Sequence, residues 1–220
     1  MAERPIFVPM PTEPHGVRAI SMAFKWHAGF SSTQKKKNVL ALHEASKLSG
    51  IAPVLEVSGQ SDHALGRALS AFNLRTDMGG LDTTVECAFQ GSKVFAGGGP
   101  YTDLYETDSR SAKRDERLRQ SGRLVQFRLQ GTDYPIDPPT VFYDWLYITA
   151  LAGLPSESNA ILQYSGFSDI EFNPERSLNC QAKSCALYVA LCKRGALVSA
   201  LKSFAAFRTA VTTAEGADPT

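Results

Sequence analysis

The sequence predicts a helix-rich α+β fold in which one domain spans residues 1–220 and contains a small, mainly antiparallel sheet. Two observations favour this class. Apolar residues recur at helical spacing along much of the chain, and the segments that alternate are short and separated by unequal helical stretches, unlike a regular βαβ series. The 220 residues include 43% hydrophobic residues, which is enough to bury a core of ordinary size.

In the first half of the chain, prolines and capping residues mark the element boundaries. Four prolines within residues 1–15 predict an extended segment on the surface. Alternating apolar residues predict a half-buried strand at 20–27. Ser31 opens a hydroxyl-rich segment that is typical of a helix N-cap. The elements expected after it are a helix that reaches Leu48 and is closed by Gly50, a strand at 54–57, a helix from Asp62 to Ser70, and a helix at 83–95.

The second half of the chain alternates charged and buried segments. Apolar and aromatic residues on every side of 140–151 indicate a buried helix, so we interpret its aromatic residues as core packing rather than as a cofactor site. The other expected elements are a charged helix at 109–120, a strand at 124–129, a strand at 167–172, two helices at 181–194 and 196–209, and a flexible tail at 212–220.

Composition excludes several classes of protein. The net charge of +1 argues against a protein that coats nucleic acid by charge alone, so any contact with DNA requires a local basic patch. No apolar stretch approaches the ~20 residues that a membrane span needs. Neither a secretory signal nor a Cys-x-x-Cys pair is visible, so we expect a cytoplasmic protein without a membrane partner or a metal site.

The most informative pattern lies in the helix predicted at 83–95. Glu86, Gln90 and Lys93 fall on one stripe of such a helix and could converge on a ligand lying over Gln90. A polar stripe is more often a solvated face. In addition, Thr83 and Glu86 have the spacing of a capping box, in which the carboxylate reaches back to the helix start. From spacing alone, the structural interpretation is favoured.

Three further patterns allow both a functional and a structural interpretation. The glycine run 97–99 could present amides to a phosphate, or could simply stop a helix. The basic segment 110–128, and the cluster 35–37 close in sequence to Trp26, could contact nucleic acid or form solvated helix faces. Asp169 and Glu171 share one face of the strand predicted there. They could be the paired carboxylates of a glycosidase or a pair of charges on an edge strand. Asn179 could cap the following helix.

Two short motifs resemble those of a known family. Residues 69–73, Leu-Ser-Ala-Phe-Asn, and residues 84–93, Thr-Val-Glu-Cys-Ala-Phe-Gln-Gly-Ser-Lys, resemble the NADAR signature, in which L-S-N-F precedes T-V-E-H-x-F-Q-x-x-K. Ala71 replaces the family's Asn and Cys87 replaces its His. Longer runs look like the branch associated with DarT-type toxins, namely residues 88–95, 98–104, 142–147 and 169–174.

The resemblance implies a NADAR-like fold and an antitoxin that removes ADP-ribose from guanine bases in DNA, with free ADP-ribose as product, a DarT-type toxin as partner and no cofactor. It implies that Glu86 is the catalytic carboxylate and Lys93 the site lysine. This functional interpretation of Glu86 is preferred to the capping-box interpretation that spacing alone favours. Phe172 stands near the position of the family's C-terminal Trp-Gly. The residues expected to bind substrate are Ser70, Phe72, Asn73, Gln90, Gly98, Gly99, Tyr101, Asp169, Phe172 and Asn179. Those expected to contact the DNA backbone are Arg114, Arg117 and Arg123.

Two other functions remain open at this point. A non-catalytic antitoxin would neutralise its partner toxin by binding alone. An N-glycosidase of the same family could instead act on a small nucleotide intermediate. The first would survive loss of the Glu86 carboxylate, and the second would not require DNA.

Overall fold

The computed structural model describes residues 1–78, 80–175 and 177–212, and it confirms the α+β class. The predicted flexible tail lies outside the described residues from position 213 onward. The strands are β1 (Ala2–Pro9), β2 (Val17–Phe24), β3 (Val54–Glu56), β4 (Arg75–Met78), β5 (Leu81–Thr84), β6 (Lys93–Phe95), β7 (Leu124–Leu129), β8 (Thr132–Tyr134) and β9 (Gly166–Ser168). The α-helices are α1 (Ser32–Leu48), α2 (Ala64–Ala68), α3 (Val85–Gly91), α4 (Ser109–Arg114), α5 (Arg117–Gln120), α6 (Val141–Ala152), α7 (Pro155–Ala160), α8 (Gln181–Lys193), α9 (Leu197–Ala200) and α10 (Phe204–Thr212).

Two compact units make up the chain. Unit 1 comprises Met1–Ser70 and Pro155–Thr220, and unit 2 comprises Ala71–Leu154. Within the described ranges, the strands form three small sheets rather than one, and only β3 and β9 pair in parallel. No helix in those ranges has the length and apolar character needed to cross a bilayer.

Unit 1 is built on a sheet with the strand order β2-β1-β9-β3. Strands β1 and β2 pair antiparallel over eight residue pairs, from Ala2↔Phe24 to Pro9↔Val17. Helices α1 and α8 pack against this sheet. Apolar side chains of β1, β2 and α1 form the core here, and burying them supplies the main stabilisation of the unit. Its buried members are Ile6, Met22, Phe24, Val39, Leu42 and Ile170.

The prediction of an extended surface segment at 1–15 was wrong, because Ala2–Pro9 forms an inner strand of the sheet. Ile6 and Phe7 are buried there. Proline removes a backbone donor, so it is tolerated in a strand only where no ladder hydrogen bond is needed. The ladder from β1 to β9 contains the single pair Phe7↔Phe167, which leaves the prolines of β1 outside it.

The predicted ends of several elements in unit 1 were also wrong. Helix α2 begins after His63, and Asp62 forms an ion pair with Lys36 at 2.7 Å instead of capping it. Strand β9 ends at Ser168, not at 172. Cys180, rather than Asn179, is the N-cap of α8. The helix predicted at 196–209 is split into α9 and α10. The Ser31 cap is confirmed, because its side chain accepts a hydrogen bond from the Gln34 amide.

Unit 2 packs α3 and α6 around an aromatic core. Strands β6, β7 and β8 form an antiparallel sheet in that order, and β4 pairs with β5 as a hairpin. The Phe127 and Phe142 rings stack at 4.3 Å, and the Tyr143 ring meets Phe89 edge-on at 5.1 Å. The prediction of 140–151 as a buried helix is therefore confirmed by α6.

Two predicted helices of unit 2 are interrupted. The segment predicted as one helix at 83–95 is divided into the end of β5, the short helix α3, and β6. The charged helix predicted at 109–120 breaks at Asp115, whose backbone leaves the helical region at φ −54°, ψ 126°. The Asp115 side chain accepts the Arg117 amide at 2.9 Å, which is the local bond that Asp offers in place of a helical one.

Candidate active site

The start of α3 is held by backbone and hydroxyl groups. The Ala71 carbonyl accepts the Glu86 amide at 3.0 Å, and the Leu74 carbonyl accepts the Val85 amide at 2.8 Å. The next amide donates to Oγ1 of Thr84 at 3.2 Å. The first amides of a helix have no partner inside it, so these acceptors from the preceding segment satisfy them. This explains why the two motifs occur together.

The capping-box interpretation of Glu86 was wrong. Thr84 caps the helix, and Oγ1 of Thr83 donates to the Tyr105 carbonyl at 2.6 Å instead. The Glu86 side chain therefore has no capping role. It is buried, with only 6% of its side chain exposed, and it turns along the helix toward Gln90.

The side chain of Gln90 connects Glu86 to Lys93. Nε2 of Gln90 donates to Oε1 of Glu86 at 2.9 Å, and Nζ of Lys93 donates to Oε1 of Gln90 at 2.7 Å. The amide thus fixes the carboxylate and the amine at either end of one hydrogen-bonded chain. Among the described residues, the second oxygen of Glu86 accepts no hydrogen bond, so its capacity to accept one is unused.

Lys93 reaches this chain from a strand, not from the helix on which its spacing placed it. Helix α3 ends at Gly91, and a Cβ at that position would lie 2.4 Å from a Tyr105 ring carbon, so only glycine fits. The Ser92 hydroxyl donates to the Phe89 carbonyl at 2.9 Å and closes the helix. Lys93 then pairs with Phe127 of β7, which fixes its backbone.

The environment of Lys93 favours its neutral form more than water does. Burial, together with the nearby charge of Lys113, lowers the Lys93 pKa to about 8, although the Glu86 carboxylate opposes this shift. Nζ of Lys93 lies 4.5 Å from the centre of the Phe89 ring. Nζ of Lys113 lies 3.6 Å from Oε1 of Glu86 and 5.0 Å from the Phe72 ring centre. The site therefore holds one carboxylate and two amines.

The structure divides the first motif: residues 71–73 lie in unit 2, where the Ala71 carbonyl meets the start of α3. Phe72 is half-buried under Lys113, and its carbonyl accepts the Ser109 hydroxyl at 2.9 Å. Asn73 is exposed just before β4, whereas Ser70 is buried and belongs to unit 1. Cys87, which replaces the family's His, points away from Glu86 into packing with Leu104 and Ala112.

The glycine run forms a turn after β6, and its glycines pack against neighbouring residues of the same chain. A Cβ at Gly98 would lie 2.4 Å from the Tyr101 hydroxyl, and one at Gly99 would lie 2.4 Å from the Lys93 carbonyl. Gly99 also has a φ of +89°, which few other residues adopt. The Tyr101 hydroxyl is bonded to Ser121. Local packing thus accounts for both glycines, and their proposed contact with a phosphate stays a prediction.

The three arginines expected to contact DNA differ in their partners. The Arg117 guanidinium binds Asp103 and Asp115, at 2.6 and 2.8 Å, and lies 4.5 Å from the Tyr101 ring centre. These hydrogen bonds raise the pKa of Arg117 and leave it little capacity for a phosphate. Arg114 and Arg123 are exposed.

Unit 1 contains a second polar cluster that the sequence analysis missed. Glu56 is 1% exposed and accepts three hydrogen bonds, from the Ser58 hydroxyl at 2.6 Å, the Ser168 hydroxyl at 2.5 Å and the Ile170 amide at 2.9 Å. Ser168 also contacts Nε2 of His43 at 2.8 Å. The sequence could have predicted this cluster from Glu56, an acidic residue in the short apolar strand β3, because a buried carboxylate needs hydrogen-bond partners.

Asp169 lies beside this cluster. Burial, and the charge of Glu56, raise its pKa to about 8. Its carboxylate accepts the Gln181 side-chain amide at 3.0 Å and the Glu171 amide at 3.0 Å. Because β9 ends at Ser168, the prediction that Asp169 and Glu171 share a strand face was wrong.

The last two predicted substrate residues also lie in unit 1. Phe172 packs edge-on against Phe7 with ring centres 6.0 Å apart, and both border an open groove of about 530 Å³ next to β1 and β2. Asn179 is half-buried, and its carbonyl accepts the Ser177 hydroxyl at 3.2 Å. Unit 2 thus brings together Phe72, Glu86, Gln90 and Lys93, while Ser70, Asp169, Phe172 and Asn179 belong to unit 1.

Comparison with known proteins agrees with the motifs. No curated protein matches the sequence. A family model described as the DarT1-associated NADAR antitoxin matches residues 2–220, which is nearly the whole sequence. The chain therefore belongs to the family of DarT1-associated NADAR antitoxins.

Proposed function

We propose that this antitoxin is an N-glycosidase that removes ADP-ribose from guanine bases in DNA. The observation that carries the proposal is the hydrogen-bonded chain from Glu86 through Gln90 to Lys93. It brings into one site a carboxylate with one oxygen that accepts no hydrogen bond from the described residues and an amine whose pKa is lowered to about 8, as an acid–base reaction at a sugar carbon needs.

Glu86 acts as the general acid. It gives its proton to the guanine amino nitrogen as the bond from that nitrogen to the anomeric carbon of the ribose breaks. Positive charge develops on the anomeric carbon, and the resulting carboxylate stabilises it. Gln90 holds this carboxylate through one oxygen, so the other faces the substrate. The leaving group is the unmodified guanine of the DNA strand.

Lys93 acts as the nucleophile. Its neutral amine forms a bond to the anomeric carbon, and the proton it loses returns to Glu86. That proton passes to the ring oxygen as the ribose opens, which gives a Schiff base with the lysine. Water then adds to the carbon of the protonated imine and gives a proton to Glu86, which restores the acid. The bond between that carbon and the lysine nitrogen breaks as the hydroxyl proton moves to the nitrogen, so ADP-ribose leaves as the aldehyde, which can close again, and the amine is neutral once more. A desolvated lysine beside a second cation is a recognised form of activated amine, and Lys113 is that cation here.

The test is incubation of the protein with DNA that carries ADP-ribosyl-guanine. Wild type should release free ADP-ribose, and Glu86→Gln and Lys93→Ala should release it far more slowly. Treatment with borohydride during turnover should give a covalent adduct with wild type and none with Lys93→Ala. Gln120→Ala, at an exposed position of unit 2, is the matched control and should behave like wild type.

Three outcomes would contradict the proposal or one of its assigned roles. Equal release of ADP-ribose by wild type and both variants would remove the assigned roles. A protein that protects against its toxin undiminished after Glu86→Gln would be an antitoxin that acts by binding alone. Turnover without a borohydride adduct would leave Lys93 only the role of a cation that grips the ribose.

A further inference from the structure

Two large aromatic side chains are exposed on the loop between β2 and α1. Phe30 is 98% exposed and Trp26 is 38% exposed. Large apolar side chains are usually withdrawn from water, so two of them only four positions apart on one loop require a reason.

The loop that carries them is fixed to helix α1. Asn38 is fully buried, and its side chain binds the His27 backbone twice: Oδ1 accepts the amide at 2.7 Å and Nδ2 donates to the carbonyl at 3.0 Å. A Cβ at Gly29 would lie 3.1 Å from Cγ of Gln34, so the loop also runs close along the first turns of the helix. Phe30 is therefore exposed to solvent on a loop that is anchored to α1.

The indole of Trp26 is also held in place. Its ring meets the buried Phe24 edge-on with centres 6.1 Å apart, and the Arg4 guanidinium lies 5.5 Å from its centre. An aromatic ring that is already oriented loses little conformational freedom when a planar ligand stacks on it.

Besides Arg4, two exposed lysines lie close in sequence to the rings. Lys25 precedes Trp26, and Lys37 precedes the anchoring Asn38; both are exposed. The neighbouring lysines 35 and 36 are instead paired with carboxylates of Glu171 and Asp62. Of the four lysines in residues 25–37, only Lys25 and Lys37 form no ion pair with another described residue.

We propose that Arg4, Lys25, Trp26, Phe30 and Lys37 form a binding surface for single-stranded DNA, called here the Trp26–Phe30 surface. Exposed rings stack on unpaired bases of any sequence, and lysines beside them neutralise the phosphates. A purely apolar protein partner would not need this excess of cations. The biological use of the surface, which is to hold the modified strand, rests on the proposed function; the binding itself does not.

The experiment is fluorescence anisotropy with a labelled, unmodified oligothymidylate of about 12 nucleotides, the length one such surface can contact. We expect Phe30→Ala to weaken binding about tenfold, which is the loss of one base-stacking contact. Lys25→Ala combined with Lys37→Ala should lower the salt slope of binding by about 1.4, since each phosphate contact on a single strand contributes about 0.7. Leu48→Ala, at an 81% exposed apolar residue at the other end of α1, is the matched control and should bind like wild type.

Unchanged affinity in both Phe30→Ala and the double lysine variant would overturn the proposal. So would a Phe30→Ala variant that keeps DNA binding but loses retention of a DarT1-type toxin, because the surface would then be a protein interface. The unmodified oligonucleotide separates this test from the enzymatic one. Binding without ADP-ribose release would contradict the proposed function alone, and release without binding at this surface would contradict the surface alone.

Discussion

Two buried carboxylates, one in each unit, differ in how fully their oxygens are bonded. Glu56 in unit 1 accepts three short hydrogen bonds from two hydroxyls and an amide. Glu86 in unit 2 accepts one from Gln90 and lies 3.6 Å from the Lys113 amine. Both are nearly inaccessible to solvent.

This difference separates a structural carboxylate from one suited to chemistry. Both oxygens of Glu56 accept hydrogen bonds from groups of the fold, as buried polar groups usually do. Glu86 remains under-bonded, which is costly for stability but leaves an oxygen for a substrate. Sequence composition treats the two acids alike; their bonding distinguishes them.

The largest expected effect is on turnover at Glu86. Glu86→Gln keeps the shape of the side chain and removes its proton, so we expect ADP-ribose release to fall by about 10²- to 10⁴-fold, the usual contribution of a general acid. Single-turnover assays on ADP-ribosylated DNA measure this. A loss of less than threefold would mean that Glu86 is structural, like Glu56.

The next effect concerns the pH dependence of the reaction. The Lys93 pKa of about 8 means that the neutral amine is a minority at pH 7. Release of ADP-ribose needs the neutral amine of Lys93 and also the proton of Glu86, so its rate depends on both groups. Modification of Lys93 by an amine-selective acylating reagent, followed by mass spectrometry, depends on the neutral amine alone; it should speed up about tenfold per pH unit below about pH 8 and level off above it. Lys93→Arg, which stays charged, should release no ADP-ribose at any pH. Acylation of Lys93 that keeps rising tenfold per pH unit well above pH 8 would contradict the lowered pKa.

A third comparison replaces each buried glutamate with methionine and compares the loss of stability. Glu56→Met removes the acceptors of three donors, one of them the Ile170 amide, and should lower the free energy of unfolding by about 1–3 kcal/mol. Glu86→Met should lower it by less, because Glu86 receives a single short bond. Urea denaturation measures both. A larger loss for Glu86→Met would reverse the distinction between the two carboxylates.

A fourth comparison concerns the pH dependence of stability in unit 1. The pKa of Asp169 is about 8 in the folded protein against an ordinary value of 3.8. The folded state therefore holds the proton more tightly, and the stability from this group is complete below pH 3.8 and lost as pH rises through 8. Asp169→Asn cannot ionise, so its melting temperature relative to wild type should increase from pH 4 to pH 8.

His43 provides the control for that measurement. Its pKa is lowered from 6.5 to about 4, chiefly by burial, so it removes stability as pH falls through this window rather than as it rises. His43→Gln should flatten the acidic side of the stability profile and leave the alkaline side unchanged. An Asp169→Asn difference that does not depend on pH would show that Asp169 carries its charge in the folded state.

The sequence was a good guide wherever local signals and packing agree. The helix that starts at the Ser31 cap, the buried helix α6 and the strand β7 were all predicted close to their observed positions. It was a poor guide where a tertiary contact overrides the local signal. Prolines hid the inner strand β1, and α3 ends at Gly91, so Lys93 lies on β6 and not on the predicted helix.

The sequence by itself determined the family, through the spacing of residues 69–73 and 84–93, and it determined which side chains carry acid and amine groups. Tertiary structure alone decided how those groups are bonded. Only the structure shows that Thr84 caps α3, that carbonyls of Ala71 and Leu74 accept its first amides, and that the Glu86 side chain binds Gln90 instead. Hydrogen bonds between residues distant in sequence are set by the fold, and no spacing rule encodes them.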